Sequence, residues 1–155
     1  MPVRAASGIA GLAAVLLLAA CGSPSAADEC RPVPLDATSD PSVFLAGGYR
    51  IRLDNPDSEA APTLWEGPVE VEDPKRGTSC TVDPHTLIQR PIEAFESGLL
   101  ALATMSGSNV RVMTLDLGRC AVRHVSPPLN GPVTLQNGGI RAAGAPVPGL
   151  PCSGA

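Results

Sequence analysis

Proline and glycine interrupt this 155-residue chain so often that no long helix fits into it. There are 17 prolines and 16 glycines. Proline removes a backbone donor and fixes φ, and glycine weakens any helix interior. Short strands joined by turns are what remains. Large side chains for a core are scarce, because the aromatic residues are only Phe44, Tyr49, Trp65 and Phe95. The core must come from Val, Leu, Ile and Ala, and it is expected to be small. The fold class that follows is mainly β: a small antiparallel sheet or meander, sandwich or barrel-like, with at most one short helix.

Alternation locates the strands. In Tyr49–Leu53 the apolar Tyr49, Ile51 and Leu53 alternate with Arg50 and Arg52, the pattern of a half-buried strand with its arginines in water. Asp54–Pro62 reads as a loop; its acids lack the ligand spacing of a calcium loop. Across Leu64–Glu72, Val69 and Val71 take one face while Glu70 and Glu72 take the other, and Asp73–Gly77 is a turn. Thr81–Ser97 admits two readings. Pro91, Glu93 and Gly98 permit one short helix, with a strand over Leu87–Phe95 close behind it. Leu99–Met105 and Val110–Leu117 form a hairpin across Ser106–Asn109, and Gly118-Arg119 turns into Cys120–Val125. This meander resembles part of a β-propeller blade, but a propeller needs about four blades or more and no repeat is visible. Val133–Gln136 and Gly139–Arg141 suggest a last hairpin across Asn137-Gly138, followed by an extended end.

The first residues carry an address. Arg4 precedes an uncharged apolar stretch from Ala5 to Ala20, the layout of a secretory signal. Its densest part, Ile9–Leu18, is short for a bilayer span, which takes about 20 apolar residues. Leu18-Ala19-Ala20-Cys21 resembles the lipobox of bacterial lipoproteins. The resemblance implies cleavage before Cys21, a diacylglyceryl thioether on its sulfur and acylation of its amine. Several acyl chains would form a stable membrane anchor. The expected organisation is a signal peptide over 1–20, a lipidated tether over 21–29 and a single β-rich domain over 30–155. Gly22 departs from the Asp that retains many enterobacterial lipoproteins in the inner membrane. The resemblance therefore implies the outer membrane, facing the periplasm, in a host with two membranes.

Four cysteines remain after Cys21: Cys30, Cys80, Cys120 and Cys152. An even number in an exported chain argues for two disulfides. Three pairings are possible, and the position of Cys30 and Cys152 near the two ends favours a nested Cys80–Cys120 and Cys30–Cys152. Gaps of this length do not suit zinc, whose ligands come in close pairs, so no metal or other cofactor is expected.

Charge is uneven. Residues 28–73 hold eleven acids against Arg31, Arg50 and Arg52, a balance of −8, whereas residues 74–155 hold four acids against seven bases, a balance of +3. Nothing basic or aromatic clusters as nucleic-acid binding requires. No nucleophile elbow, HExxH, phosphate loop or dinucleotide fingerprint occurs, and His85 and His124 read as structural or exposed histidines. The expected function is a non-catalytic cell-envelope module that binds a protein or envelope polymer, as an accessory subunit or an inhibitor. Its expected contact surface is the acidic first half, with Trp65 as anchor and Glu66, Glu70 and Glu72 around it. The competing reading makes Trp65 the largest side chain of the core. The alternative function is a small exported hydrolase with a non-standard site.

Overall fold

Alternating burial along short strands is the organising feature of the computed structural model, which describes residues 30–136 and 139–150. In chain order the first strands are β1 (Pro32–Val33), β2 (Asp36–Ala37), β3 (Val43–Ala46), β4 (Tyr49–Leu53), β5 (Leu64–Trp65), β6 (Val69–Asp73) and β7 (Thr78–Val82). They are followed by β8 (Leu87–Phe95), β9 (Leu99–Ser106), β10 (Asn109–Asp116), β11 (Ala121–Val125), β12 (Val133–Gln136), β13 (Gly139–Ala142) and β14 (Ala145–Pro146). No helix occurs among the described residues.

The strands form three antiparallel sheets. A central sheet runs β1-β8-β9-β10-β11, with β5 also paired to β8. A front sheet runs β2-β3-β4-β6-β7, and a back sheet runs β12-β13-β14. None closes into a barrel, so of the two expected architectures the sandwich is the one formed. Phe44, Ile51, Leu53, Val69 and Val71 of the front sheet pack against Ile88, Leu100, Leu102, Met113 and Leu115 of the central sheet. The opposite face of the central sheet, with Phe95, Ala101 and Val112, packs against Ile140, Val147 and Leu150. Covered on both faces, the central strands cannot alternate apolar with polar, and β9 is buried at five consecutive positions, Leu100–Thr104.

Of the two readings of Thr81–Ser97, the strand Leu87–Phe95 is correct and the short helix is not. Pro91 is tolerated there because the β8–β9 ladder breaks between Gln89 and Ile92, where the missing amide has no partner to lose. The meander over residues 99–125 is present, and its first hairpin pairs Ser106 with Asn109. It belongs to a six-stranded sheet rather than to a four-stranded propeller blade. The segment Leu64–Glu72 is divided between layers, since β5 pairs in the central sheet and β6 in the front sheet. The crossing uses Gly67, whose φ of +81° favours glycine and where a Cβ would lie 3.3 Å from Pro84 Cδ. The extended end expected after the last hairpin adds a third strand, β14, instead.

Cys80 and Cys120 are bonded. Cys30 is buried among the residues of the back core, as is Leu150. The expected partner of Cys30, Cys152, lies outside the described residues, as do Cys21 and the rest of the expected signal and tether.

Candidate functional site

The front sheet turns one face to the core and the other to solvent, and pairing register dictates what stands on the solvent face. β4 and β6 are antiparallel neighbours with Arg50 opposite Glu72 and Arg52 opposite Glu70. On the next strand Ser79 stands opposite Glu72 and Thr81 opposite Glu70. On the other side of β4, Leu45 stands opposite Arg50. Two rows result: Leu45, Arg50, Glu72, Ser79 and, beside it, Arg52, Glu70, Thr81. Opposite charges facing each other across strands stabilise a sheet modestly. Here Arg52 also approaches two acids, with Nε 3.9 Å from Glu70 Oε2 and Nη2 3.7 Å from Asp40 Oδ2.

Apart from Leu45, the side chains of these rows border a shallow depression of about 320 Å³. It is open and polar, and it suits an extended polar surface better than an enclosed small molecule, which calls for a deep apolar pocket. Leu45, across from Arg50, is 45 % exposed, one of the few large apolar side chains left in water among the described residues.

The expected acidic contact surface is corrected in two respects. Trp65 is not at the surface: it is 0 % exposed, inside the core between the front and central sheets. Its indole Nε1 donates to Ser42 Oγ at 3.0 Å, and its ring meets Phe44 edge-on. The Arg90 guanidinium lies 5.7 Å from the Trp65 ring centroid, within cation–π range. The sole indole thus fills the largest space in a core poor in aromatics. In addition, Glu70 and Glu72 do not form an acidic patch, because Arg52 and Arg50 face them. Glu66 is exposed but stands on the crossing between β5 and β6, away from both rows. Sequence reasoning passed over Leu45, Ser79 and Thr81. Alternation could have placed Leu45 outward opposite Arg50 once β3 was paired with β4.

Two other polar constellations stand apart from this face. Asp83 and His85 are both exposed, with Nδ1 3.2 Å from Oδ2, in the link between β7 and β8. On the back face of the central sheet, Glu93, Ala101, Thr114 and His124 share one register row. Glu93 is 8 % exposed, and burial raises its pKa above the ordinary carboxylate range. Thr114 Oγ1 and His124 Nε2 are buried without a hydrogen-bond partner among the described residues. The imidazole lies against Gly149, where a Cβ would come within 2.7 Å of His124 Cε1. The C-terminal arm thus covers this end of the row. Among the described residues, no three His, Cys, Asp or Glu side chains gather in a metal-binding arrangement.

Comparison with protein-family models and with curated proteins gives no match, so the function is argued from these residues themselves.

Proposed function

We propose that this chain is a lipid-anchored protein of the bacterial cell envelope that acts by binding another protein through the solvent face of its front sheet. One observation carries the reading. The two in-register rows set an exposed leucine beside alternating arginine and glutamate on a face built of paired strands. An apolar anchor rimmed by charged and hydroxyl groups is the composition of protein interfaces, and fixed complementary charges select a partner by sign and position. The surface is also held in place, since each of its residues sits on a paired strand.

The anchor rests on Leu18-Ala19-Ala20-Cys21 at the end of an apolar, signal-like stretch. Mass spectrometry of the mature N-terminus, with fatty-acid labelling of wild type and Cys21→Ser, tests it. An unmodified N-terminus elsewhere in the sequence would overturn it.

The binding face is tested by exchanging charges within a pair. Arg50→Glu combined with Glu72→Arg keeps opposite signs across β4 and β6, so the thermal midpoint should stay close to wild type. A partner's charges, however, would now meet their like. A photocrosslinker at Leu45 in intact cells should yield an adduct in wild type that is lost in the exchanged variant. Equal crosslinking in both, at equal stability, would show that this face is not the contact.

A further inference from the structure

The two ends of the sandwich differ in charge. Antiparallel hairpins bring the turns of the front and central sheets to one end or the other. At the end where the described chain begins, Arg31 O accepts from Glu96 N at 2.9 Å, and Gly98 O accepts from Leu117 N at 2.9 Å. Gly47 lines one cavity with Gly98 and Leu117, and Arg76 lines another with Arg119 and Cys120. The termini and turns of five segments therefore share this end: residues 30–31, 47–48, 74–77, 96–98 and 117–120. They carry Arg31, Lys75, Arg76 and Arg119.

The acids beside these segments are Glu96, Asp73 and Asp116, and Asp28 and Glu29 precede Cys30 in the sequence. Asp73 and Asp116 are set back, with side chains 16 % and 20 % exposed, and pair at 3.5 and 3.6 Å with Arg76 and Arg119, which are each 71 % exposed; Glu96 pairs with Arg31 at 2.8 Å. Both aspartates are occupied with turn amides: Asp73 Oδ1 accepts from Lys75 N and Arg76 N, and Asp116 Oδ1 accepts from Arg119 N. These segments and the strand ends beside them thus hold four bases against three acids, and at the turns 74–77 and 117–120 the bases are the more exposed. At the opposite end, the loops over 38–42, 54–63, 66–68 and 83–86 carry Asp40, Asp54, Asp57, Glu59, Glu66 and Asp83 and no Lys or Arg.

The chain enters at the basic end. Between Cys21 and Cys30 a fully extended backbone reaches about 30 Å at most. We infer that the basic turns around Lys75, Arg76 and Arg119 dock on anionic phospholipid headgroups, orienting the lipoprotein with its acidic end away from the membrane. The inference rests on lipidation at Cys21, which confines the domain near the bilayer. At the effective concentration of a short tether, a contact of few charges becomes significant. An anionic surface attracts nearby Lys and Arg within roughly a Debye length, ~8 Å at physiological salt, and it repels the acids of the far end. Both forces turn the domain the same way.

Lys75 is the only lysine in the chain, so its reaction with a water-soluble amine-acylating reagent reports on this end alone. The full lipidated protein is reconstituted on vesicles of phosphatidylcholine, or of phosphatidylcholine with phosphatidylglycerol. Acylation of Lys75 should slow about ten-fold on the anionic vesicles, an effect of the size that a few basic residues at such a surface produce. Salt at about 1 M, where the screening length falls to ~3 Å, should abolish the difference. Arg76→Glu with Arg119→Glu keeps the reporter and should also abolish it, and Arg76→Gln with Arg119→Gln should reduce it. An unchanged circular dichroism spectrum and thermal midpoint show that each variant is folded. Equal Lys75 rates on both vesicle types, with the protein floating on both, would overturn the docking and leave the anchor standing. Failure to float on neutral vesicles would overturn the anchor instead. Flotation on anionic vesicles then decides the docking, which stands if the protein floats there and falls if it does not.

Discussion

Cys80, on the outer strand β7 of the front sheet, is bonded to Cys120, which immediately precedes the outer strand β11 of the central sheet. Two edges that share no backbone hydrogen bonds are thereby held with their Cα atoms 6.2 Å apart. The bond spans 40 residues of sequence, and closing a loop of that length in the unfolded chain is worth about 4 kcal/mol in the chain-entropy account. Replacing both cysteines with alanine should lower the free energy of unfolding by about 3–4 kcal/mol, read from urea midpoints. A loss well under 1 kcal/mol would mean that the edges hold together without the bond.

The bond from Trp65 Nε1 to Ser42 Oγ makes a second prediction. Ser42→Ala leaves a buried indole N–H without an acceptor, which costs about 1–3 kcal/mol. Trp65→Ala, by emptying the largest space in the core, should cost about 3–5 kcal/mol. Because the chain has a single tryptophan, its fluorescence reports this site alone. Native emission should be blue-shifted and resist acrylamide quenching. Red-shifted, readily quenched emission would return Trp65 to the surface.

The strands were legible where one face meets water. Arg50 and Arg52, Glu70 and Glu72 alternate with core residues, and β4 and β6 could be placed from that pattern alone. Legibility ended where both faces are covered. β8 reads as helix or strand because its interior residues satisfy two cores at once. Only the break opposite Pro91 and its pairing with β9 decide between them. The contact face was half legible. Alternation turned the glutamates outward, but local sequence does not say that β4 and β6 are neighbours, and their adjacency is what cancels the acids with arginines. Trp65 misled as an interface anchor because the chain crosses between sheets just after it, so its acidic neighbours in sequence lie on a different layer.

Asp57 organises the acidic loop. Its carboxylate accepts from Thr63 N at 2.8 Å, Thr63 Oγ1 at 2.7 Å and Leu64 N at 3.1 Å. The Leu64 amide, followed by the Thr63 hydroxyl and amide, holds its pKa below the ordinary carboxylate range. The unfolded chain takes up this proton more readily, so the stabilisation is complete above the unfolded pKa and is lost as pH falls through the folded one. Carboxyl-carbon NMR titration should place Asp57 below the ordinary aspartate range. Asp57→Ala should speed amide exchange at Thr63 and Leu64 at neutral pH and have little effect once the carboxyl is protonated. An Asp57 that titrates in the ordinary aspartate range would show that the bonds do not favour its charged form.

Glu93 has the opposite sign. It shares a row with Ala101 and Thr114 on the back face of the central sheet, where burial disfavours its charge and raises its pKa. No described side chain donates to it, so nothing repays the lost hydration. The folded protein therefore binds this proton more tightly than the unfolded chain does. Its contribution is most favourable below the ordinary carboxylate pKa and declines as pH rises through the interval up to the folded pKa. Above that interval the full penalty of a buried charge remains. Glu93→Gln keeps the shape and removes the ionisation. Urea midpoints of wild type and variant should nearly coincide at about pH 3, where both side chains are neutral, and separate as pH rises, with the variant the more stable at neutrality. Because both proteins share every other carboxylate, Asp57 included, the difference between them isolates Glu93. A wild type as stable as the glutamine variant at neutral pH would mean that the carboxylate is paired or solvated in its charged form.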